Sequence, residues 1–302
     1  LWRLKRQLST FKQITSLIDK TKQLILYGPP GTGKTWMARN YVKIMADNEE
    51  KCEFVTFHPS YSYEEFIEGL KPKTNEEGKI YYEVEDGLFK RICKEAYNAI
   101  LAEARIEKRW EKNIPELNKS DVEKIKSLIR EDKAPRFYLV IDEINRGDIS
   151  RIFGELITLL EADKRLFSEN EIIARLPYSK ENFGVPPNLY ILATMNTADR
   201  SIALVDLALR RRFGFIELMP DYDILENELI NNNNVTDEAK QVCKLAIEVL
   251  RNINQRIIQL YDRDHQIGHS YLLKLKGKKN RQEVLEELKD IWYHKIIPLL
   301  QE

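Results

Sequence analysis

The residues best suited to chemistry form one short loop near the start of the chain. Its eight residues, GPPGTGKT, match the pattern GxxxxGK[ST] and lie between an apolar run and a helical pattern. Glycines in such a loop let backbone N–H groups face a phosphate, Lys34 adds charge at the β- and γ-phosphates, and Thr35 offers a hydroxyl to Mg²⁺. We therefore predict a nucleoside-triphosphate site. The predicted nucleotide-binding residues are Gly28, Pro29, Pro30, Gly31, Thr32, Gly33, Lys34, Thr35 and Trp36, together with Asp142.

Two acidic residues follow a second apolar run. Asp142 and Glu143 come directly after FYLVI, at 137–141. One carboxylate at the end of a buried strand can hold Mg²⁺ through water, and a second can orient and deprotonate the attacking water. The alternative is a pair of solvated acids at a strand exit. Beside a phosphate loop, the pair predicts hydrolysis of the bound triphosphate.

Two further polar features stand near predicted strand ends. Asn196 follows the run LYILA and could hydrogen-bond the γ-phosphate or the attacking water, although a lone asparagine is often only a turn residue. Arg210, Arg211 and Arg212 form a block of positive charge before another strand pattern. Such a block can be a solvated surface feature without a further role, or it can complete the site of a neighbouring subunit.

The elements that must position these residues alternate between strand and helix patterns. Strands are predicted at 23–27, 53–57, 137–141, 189–193 and 213–218, and helices at 36–46, 62–70 and 149–160. The capping-box spacing of Ser62 and Glu65 predicts the start of the second of these helices. This alternation predicts an α/β fold with a five-stranded parallel sheet over residues 1–220. The helical patterns of 221–302 predict a small all-helical lid domain, with a long helix over 242–260.

Three segments fall outside this core pattern. Residues 103–133 carry 17 charged residues in 31 and are predicted to be a solvated helical insertion. Residues 166–187 are expected to project as a hairpin, either toward a ring pore or partner or simply from the surface. The basic stretch at 274–281 is better explained as a solvated loop than as a nucleic-acid contact.

Composition excludes several classes of protein. The chain has 302 residues, 43% of them apolar, which excludes disorder as the main state. The 48 basic and 48 acidic residues balance, so a wholly basic nucleic-acid coat is excluded. No apolar run approaches the length of a membrane-spanning helix. Three separated cysteines, Cys52, Cys93 and Cys243, fit a reducing cytoplasm better than a disulfide framework.

Longer stretches around these motifs carry a family resemblance. The order of phosphate loop, acidic strand end, polar strand end, arginine block and helical lid resembles the AAA+ superfamily, with an αβα sandwich. The segments FHPSYSYEEFIEGLKP (57–72), LVIDEINRGDISRIFGELITLLE (139–161), ATMNTADRSIALVDLALRRRFGF (193–215) and IGHSYLL (267–273) resemble the McrB family. That family is the GTP-hydrolysing motor of a restriction system that cuts methylated DNA.

The resemblance implies roles for single residues. It gives Lys34, Thr35, Asp142 and Glu143 the Walker roles, with Thr35 and Asp142 toward the metal. It makes Asn196 the first sensor, Asn145 a partner in positioning water, and Arg211 and Arg212 fingers that act in a neighbouring subunit.

The resemblance also implies partners: a hexameric ring and an McrC-type endonuclease subunit. DNA would be recognised by a domain preceding the motor. Only about 20 residues precede the first predicted strand and the chain begins at Leu1, so we expect an excised fragment that turns over nucleotide without reading modified DNA.

Selection of guanine over adenine rests on this resemblance alone. Residues 118–121, NKSD, match a guanine box, but they lie in the charged insertion and are better explained as a helix start at Ser120. Residues 196–199, NTAD, resemble the box loosely, but Asn196 is expected at the phosphate and Asp199 in a structural or intersubunit role. A second sensor could be His269 or Ser270, although a histidine there is more often a packing residue.

Two other functions remain compatible with the same residues. One is an ATP-driven AAA+ remodelling factor, which a measured base preference would separate from a GTPase. The other is a nucleotide-locked assembly switch with little turnover.

Overall fold

The computed structural model describes residues 2–199, 207–231 and 235–301. Its centre is a five-stranded sheet whose order along the sheet is β2, β5, β8, β1, β9, with all pairings parallel. The strands are β1 (Gln23–Gly28), β2 (Cys52–Thr56), β5 (Phe137–Asp142), β8 (Leu189–Asn196) and β9 (Gly214–Glu217). The predicted five-stranded parallel α/β sheet is confirmed.

Parallel pairing gathers the polar strand ends at one edge. Gly28 pairs with Asn196, and Thr56 pairs with Asp142. Because all five strands run in the same direction, their carboxyl ends meet at this edge. The sheet therefore brings the phosphate loop, the acidic pair and Asn196 together.

Helices cover both faces of the sheet. On one face α1 (Trp2–Thr21) and α2 (Lys34–Met45) pack on Leu24 and Leu26, whereas Ile25 faces the larger core that includes α4 (Leu88–Glu103). Successive strand residues point to opposite faces, which is why both cores take residues from the same strands. The result is a three-layer sandwich.

A separate helical unit follows β9. It contains α8 (Tyr222–Leu225), α9 (Asp237–Leu260), a 3₁₀ helix (His269–Leu275), α10 (Arg281–Ile291) and α11 (Ile297–Gln301), packed around their own apolar core. A π-helical turn, Trp292–Ile296, lies between α10 and α11. The predicted helical lid is confirmed. None of the helices in the described ranges is long and apolar enough to cross a membrane.

The predicted helix at 62–70 is wrong beyond its first turn. The capping box of Ser62 and Glu65 starts α3 (Tyr63–Phe66), but the chain then forms the antiparallel hairpin of β3 (Glu68–Thr74) and β4 (Ile80–Asp86). Gly78, with φ of 77°, closes the turn. The pairing of β3 with β4 thus overrides the helix that the capping box starts.

The predicted helix at 149–160 changes type midway. It begins as α6 (Ile149–Phe153) and continues as a 3₁₀ helix (Gly154–Leu160). Gly154 has φ of 54°, a left-handed value that interrupts the α-helical hydrogen bonds.

The hairpin predicted within 166–187 is present but does not project freely. Its strands, β6 (Ala174–Arg175) and β7 (Asn182–Phe183), are short. The N–H groups of Tyr178 and Ser179 donate to Glu68 Oε1 at 2.9 and 3.0 Å, so this hairpin lies against the start of β3. The two hairpins therefore support each other.

A buried ammonium joins the same two hairpins. Lys90 is 1% exposed and its Nζ lies 2.9 Å from Glu68, 2.8 Å from Asp86 and 2.7 Å from Glu181. Three carboxylates around one buried cation satisfy its charge, and breaking such a cluster on one side costs about 3–5 kcal/mol.

The charged segment at 103–133 is less solvated than expected. Trp110 is 1% exposed and joins the larger core with Ile125, while the charged residues of α5 (Lys119–Arg130) face outward. The helix cap is Asn118 rather than Ser120, because the Asn118 side chain accepts from Asp121 N at 2.8 Å. Asn118 is thus engaged in capping a helix.

Candidate nucleotide-binding site

The phosphate loop turns through left-handed backbone at its glycines. Gly31 has φ of 76° and Gly33 has φ of 84°, conformations that L side chains rarely adopt. A Cβ at Gly31 would also lie 2.8 Å from the Tyr271 ring. Gly33 is the N-cap of α2, so the helix begins where its free N–H groups can meet a phosphate.

Lys34 lies inside this loop. It is 5% exposed, and its Nζ donates to Gly28 O at 3.0 Å and Pro29 O at 2.7 Å. Burial lowers the pKa of Lys34 to about 8, against the opposing effect of Glu143 and Asp142. The ammonium is therefore held at the loop and titrates within reach of neutral pH.

Nucleotide affinity should fall as the pH rises above about 8. A bound triphosphate favours the ammonium form and raises the Lys34 pKa, so binding above pH 8 takes up a proton. We expect the Kd to increase by up to about tenfold per pH unit above that pKa. Equilibrium titration with a fluorescent nucleoside-triphosphate analogue between pH 7 and 9 measures this slope. Lys34→Arg, which keeps its charge, should bind with a flat pH profile; an equal slope in that variant would contradict the assignment.

Asp142 is fixed by two hydroxyls. Thr35 Oγ1 donates to Asp142 Oδ1 at 2.7 Å, and Thr194 Oγ1 donates to the same oxygen at 2.5 Å. The sequence analysis missed Thr194, although its place on β8, two residues before Asn196, marks it as a strand-end polar residue. These contacts place the predicted metal-binding pair, Thr35 and Asp142, side by side.

Glu143 is held in an unusual conformation beside Asp142. Its backbone is left-handed, with φ of 54° and ψ of 46°, and its N–H donates to Thr194 Oγ1 at 3.1 Å. Asn196 Nδ2 donates to Glu143 Oε1 at 2.5 Å, and Arg146 Nε lies 3.6 Å from Oε2. Burial raises the pKa of Glu143. Strained backbone of this kind clusters at functional sites, and a raised pKa suits a general base.

Asn145 binds the main chain at the end of β8. It is 9% exposed, and its Nδ2 donates to Asn196 O at 3.0 Å. Arg146 also pairs with Asp199 at 3.3 Å, which gives Asp199 an ion-pair partner within the chain. Asn145 thus fixes the main chain of Asn196, the residue whose side chain binds Glu143.

The lid docks on the phosphate loop through main-chain atoms. Gly268 N donates to Pro30 O at 3.1 Å, and Ser270 N donates to Gly31 O at 2.9 Å. His269 is 6% exposed, and its Nδ1 accepts from Asp221 N at 3.1 Å. His269 is therefore a packed residue within the lid, bonded to the start of α8. Trp36, in the first turn of α2, is 44% exposed.

The arginine block begins at the end of α7 (Leu207–Arg210) and lies at the amino-terminal ends of the strands, opposite the phosphate loop. Arg212 directly precedes Phe213 and β9, and its carbonyl accepts from the Gln23 side chain at the start of β1. The five steps of β1 from Gln23 to the phosphate loop span about 16 Å at 3.3 Å each. Arg211 is exposed, whereas Arg212 Nε lies 2.8 Å from Glu161 Oε1. Neither arginine can reach the phosphate loop of its own chain.

The sheet order, the phosphate loop after β1, the acidic pair after β5 and Asn196 at the end of β8 together define an AAA-type nucleoside-triphosphatase. The sequence profile of the AAA domain (dynein-related subfamily) matches residues 23–213, and that of the McrB alpha-helical lid domain matches residues 245–302. The chain belongs to this AAA family and is McrB-like, with an McrB lid.

Two relatives are similar over most of the chain. The Type IV methyl-directed restriction enzyme EcoKMcrB subunit of Escherichia coli K12 is 34% identical over 87% of this chain and 50% of its own length. The Type II restriction enzyme BsuMI component YdiS of Bacillus subtilis 168 is 28% identical over 70% of this chain and 61% of its own length. The chain thus spans about half to three fifths of these relatives.

Proposed function

We propose that this chain hydrolyses GTP with Mg²⁺ as a ring-forming AAA+ motor that powers a methylation-dependent DNA restriction endonuclease. The observation that carries hydrolysis is the placement of Glu143, bound to Asn196, beside the Asp142–Thr35 pair at the phosphate loop. The restriction role is supported by the two relatives, both named as restriction enzyme components. GTP is supported by the resemblance to the McrB family.

The oxygen donors at the strand edge fit Mg²⁺, a hard cation that prefers oxygen ligands. Thr35 and Asp142 would hold it, and when bound it neutralises charge on the β- and γ-phosphate oxygens. Lys34 binds the same phosphates. Glu143 accepts a proton from the attacking water, which Asn196 helps to orient through its hydrogen bond to the Glu143 carboxylate.

The second half of the site comes from a neighbouring copy. Because Arg211 and Arg212 lie at the edge opposite the phosphate loop, they can serve only another subunit's γ-phosphate. A head-to-tail arrangement of this kind closes into a ring, which we propose to be hexameric. An McrC-type endonuclease subunit is its proposed partner, and DNA is reached through that complex.

Competition among GTP, ATP and GDP for the chain with Mg²⁺ tests the proposal at the binding step. We expect GTP to be preferred over ATP by at least tenfold, about 1.4 kcal/mol. Equal affinity or a preference for ATP would overturn the GTPase and favour the ATP-driven remodelling factor. Absence of hydrolysis in any assembled state would favour the assembly switch instead.

A further inference from the structure

A buried arginine at the amino-terminal edge of the sheet has no part in the proposed chemistry. Arg165 is 1% exposed and follows the short 3₁₀ helix Ala162–Lys164. Its guanidinium donates to Leu160 O at 3.1 Å, to Pro186 O at 3.3 Å and to Leu189 O, and to Gln23 Oε1 at 2.9 Å. These acceptors are three main-chain carbonyls and one amide oxygen.

Such a cation is costly to bury. Burial lowers the pKa of Arg165 to about 10, so the side chain remains charged at neutral pH. Its acceptors are neutral dipoles, which compensate a buried charge less well than a carboxylate does. A buried charge that is compensated only by neutral groups is expected where function requires it.

Gln23 connects this cation to the arginine block. Gln23 is 1% exposed, and its side chain bonds on both sides: Oε1 accepts from Arg165, and Nε2 donates to Arg212 O at 2.6 Å. A second connection runs through Leu160, whose carbonyl binds Arg165 and whose next residue, Glu161, pairs with Arg212 Nε at 2.8 Å. The main chain of Arg212 is thus fixed by Gln23, and its side chain by Glu161. Arg165 binds Gln23 directly and binds the carbonyl of the residue before Glu161.

We propose that Gln23 and Arg165 are positioning residues for the intersubunit arginines. By fixing Arg212, they set the direction in which the exposed Arg211 leaves the fold toward a neighbouring copy. This inference rests on the proposed function, because it needs the arginines to act on a neighbour's triphosphate. It predicts that a substitution at Gln23 lowers GTP turnover in the active site of the adjacent subunit.

Gln23→Glu keeps one of the two hydrogen bonds of the Gln23 side chain and removes the other. A carboxylate still accepts from Arg165 but cannot donate to Arg212 O, and it repels that carbonyl. We expect GTP turnover at saturating nucleotide to fall by at least about tenfold, with the Kd for GTP within about twofold of wild type. Asn188→Asp is the matched control. Asn188 is 3% exposed at the same edge and its amide donates to Ala96 O and Pro135 O, so that variant should lose thermal stability but keep its turnover per folded subunit.

Mixing variants tests where the defect lies. Glu143→Gln subunits cannot catalyse but keep their arginines, so they should complement Gln23→Glu subunits. In a random 1:1 assembly about a quarter of the interfaces pair a working site with a working arginine donor, and turnover should return to about a quarter of wild type. A mixture of Gln23→Glu with Arg211→Ala should turn over no faster than Gln23→Glu alone, because both variants lack a fully working donor. Native mass spectrometry confirms co-assembly.

The outcomes separate the two proposals. If Gln23→Glu turns over like wild type while Glu143→Gln does not, the positioning role alone is overturned. The positioning role is also overturned if Glu143→Gln fails to complement Gln23→Glu within confirmed mixed assemblies, or if Arg211→Ala succeeds in complementing it. If Glu143→Gln itself turns over like wild type, the proposed hydrolytic site is wrong, and the positioning role fails with it.

Discussion

Glu143→Gln is expected to lower GTP turnover by about 10²–10⁴, the range that a positioned general base contributes. The amide cannot accept the proton of the attacking water, but it keeps the shape of Glu143 and a hydrogen-bonding oxygen toward Asn196. Nucleotide binding and assembly should therefore survive. Phosphate release under saturating GTP, with the Kd measured in parallel, shows whether the loss lies in the chemical step.

The pH dependence gives this prediction a second measurement. Hydrolysis requires the carboxylate, and burial raises the pKa of Glu143, so the acid limb of the turnover profile should lie at a higher pH than for an ordinary glutamate. Glu123→Gln, on the exposed face of α5, is the control and should match wild type. A Glu143→Gln variant with half of the wild-type turnover or more would contradict the general-base role.

Arg211→Ala should lower turnover by about 10³ or more, because an arginine supplied in trans stabilises the transferring phosphoryl group by that order. Arg212→Ala should also cut hydrolysis and spare binding, since its pairing with Glu161 is lost and the block loses its anchor. Turnover and GTP affinity are measured at chain concentrations that saturate assembly.

A concentration series distinguishes action in trans from action within one chain. Wild-type turnover per subunit should rise with chain concentration as neighbours supply arginines, whereas the Arg211→Ala curve should stay flat. Arg130→Ala, on exposed α5, serves as a charge-matched control. Concentration-independent wild-type turnover, or an Arg211→Ala variant as active as wild type, would show that the block does not act between subunits.

The core fold and the edge where the site forms were predictable because their determinants are local. Apolar runs such as 137–141 predict strands, and the phosphate-loop pattern predicts the turn after β1. Parallel strands then bring their carboxyl ends together, so the proximity of Asn196 to Glu143 follows from topology. The hairpin after Phe66 was not predicted, although a turn residue, Gly78, lies between its two strands.

Other features could not be read locally because their partners are distant in sequence. Gln23 and Thr194 look like ordinary strand residues, and Arg165 looks like one more charge in a polar stretch. Their roles depend on contacts across 142 residues for Arg165 and Gln23 and 52 residues for Thr194 and Asp142. Such pairs become visible only when the sheet order is known.

The docking of Gly268 and Ser270 on the carbonyls of Pro30 and Gly31 has a mechanical consequence. A Cβ at Gly268 would lie 2.0 Å from the Gly31 carbonyl carbon, so the two backbones are in direct contact. Any rotation of the small domain must pull on the same peptide groups that curl around the phosphates. Force would then pass between domains along stiff main chain, and a change at the γ-phosphate would reach the small domain as torque.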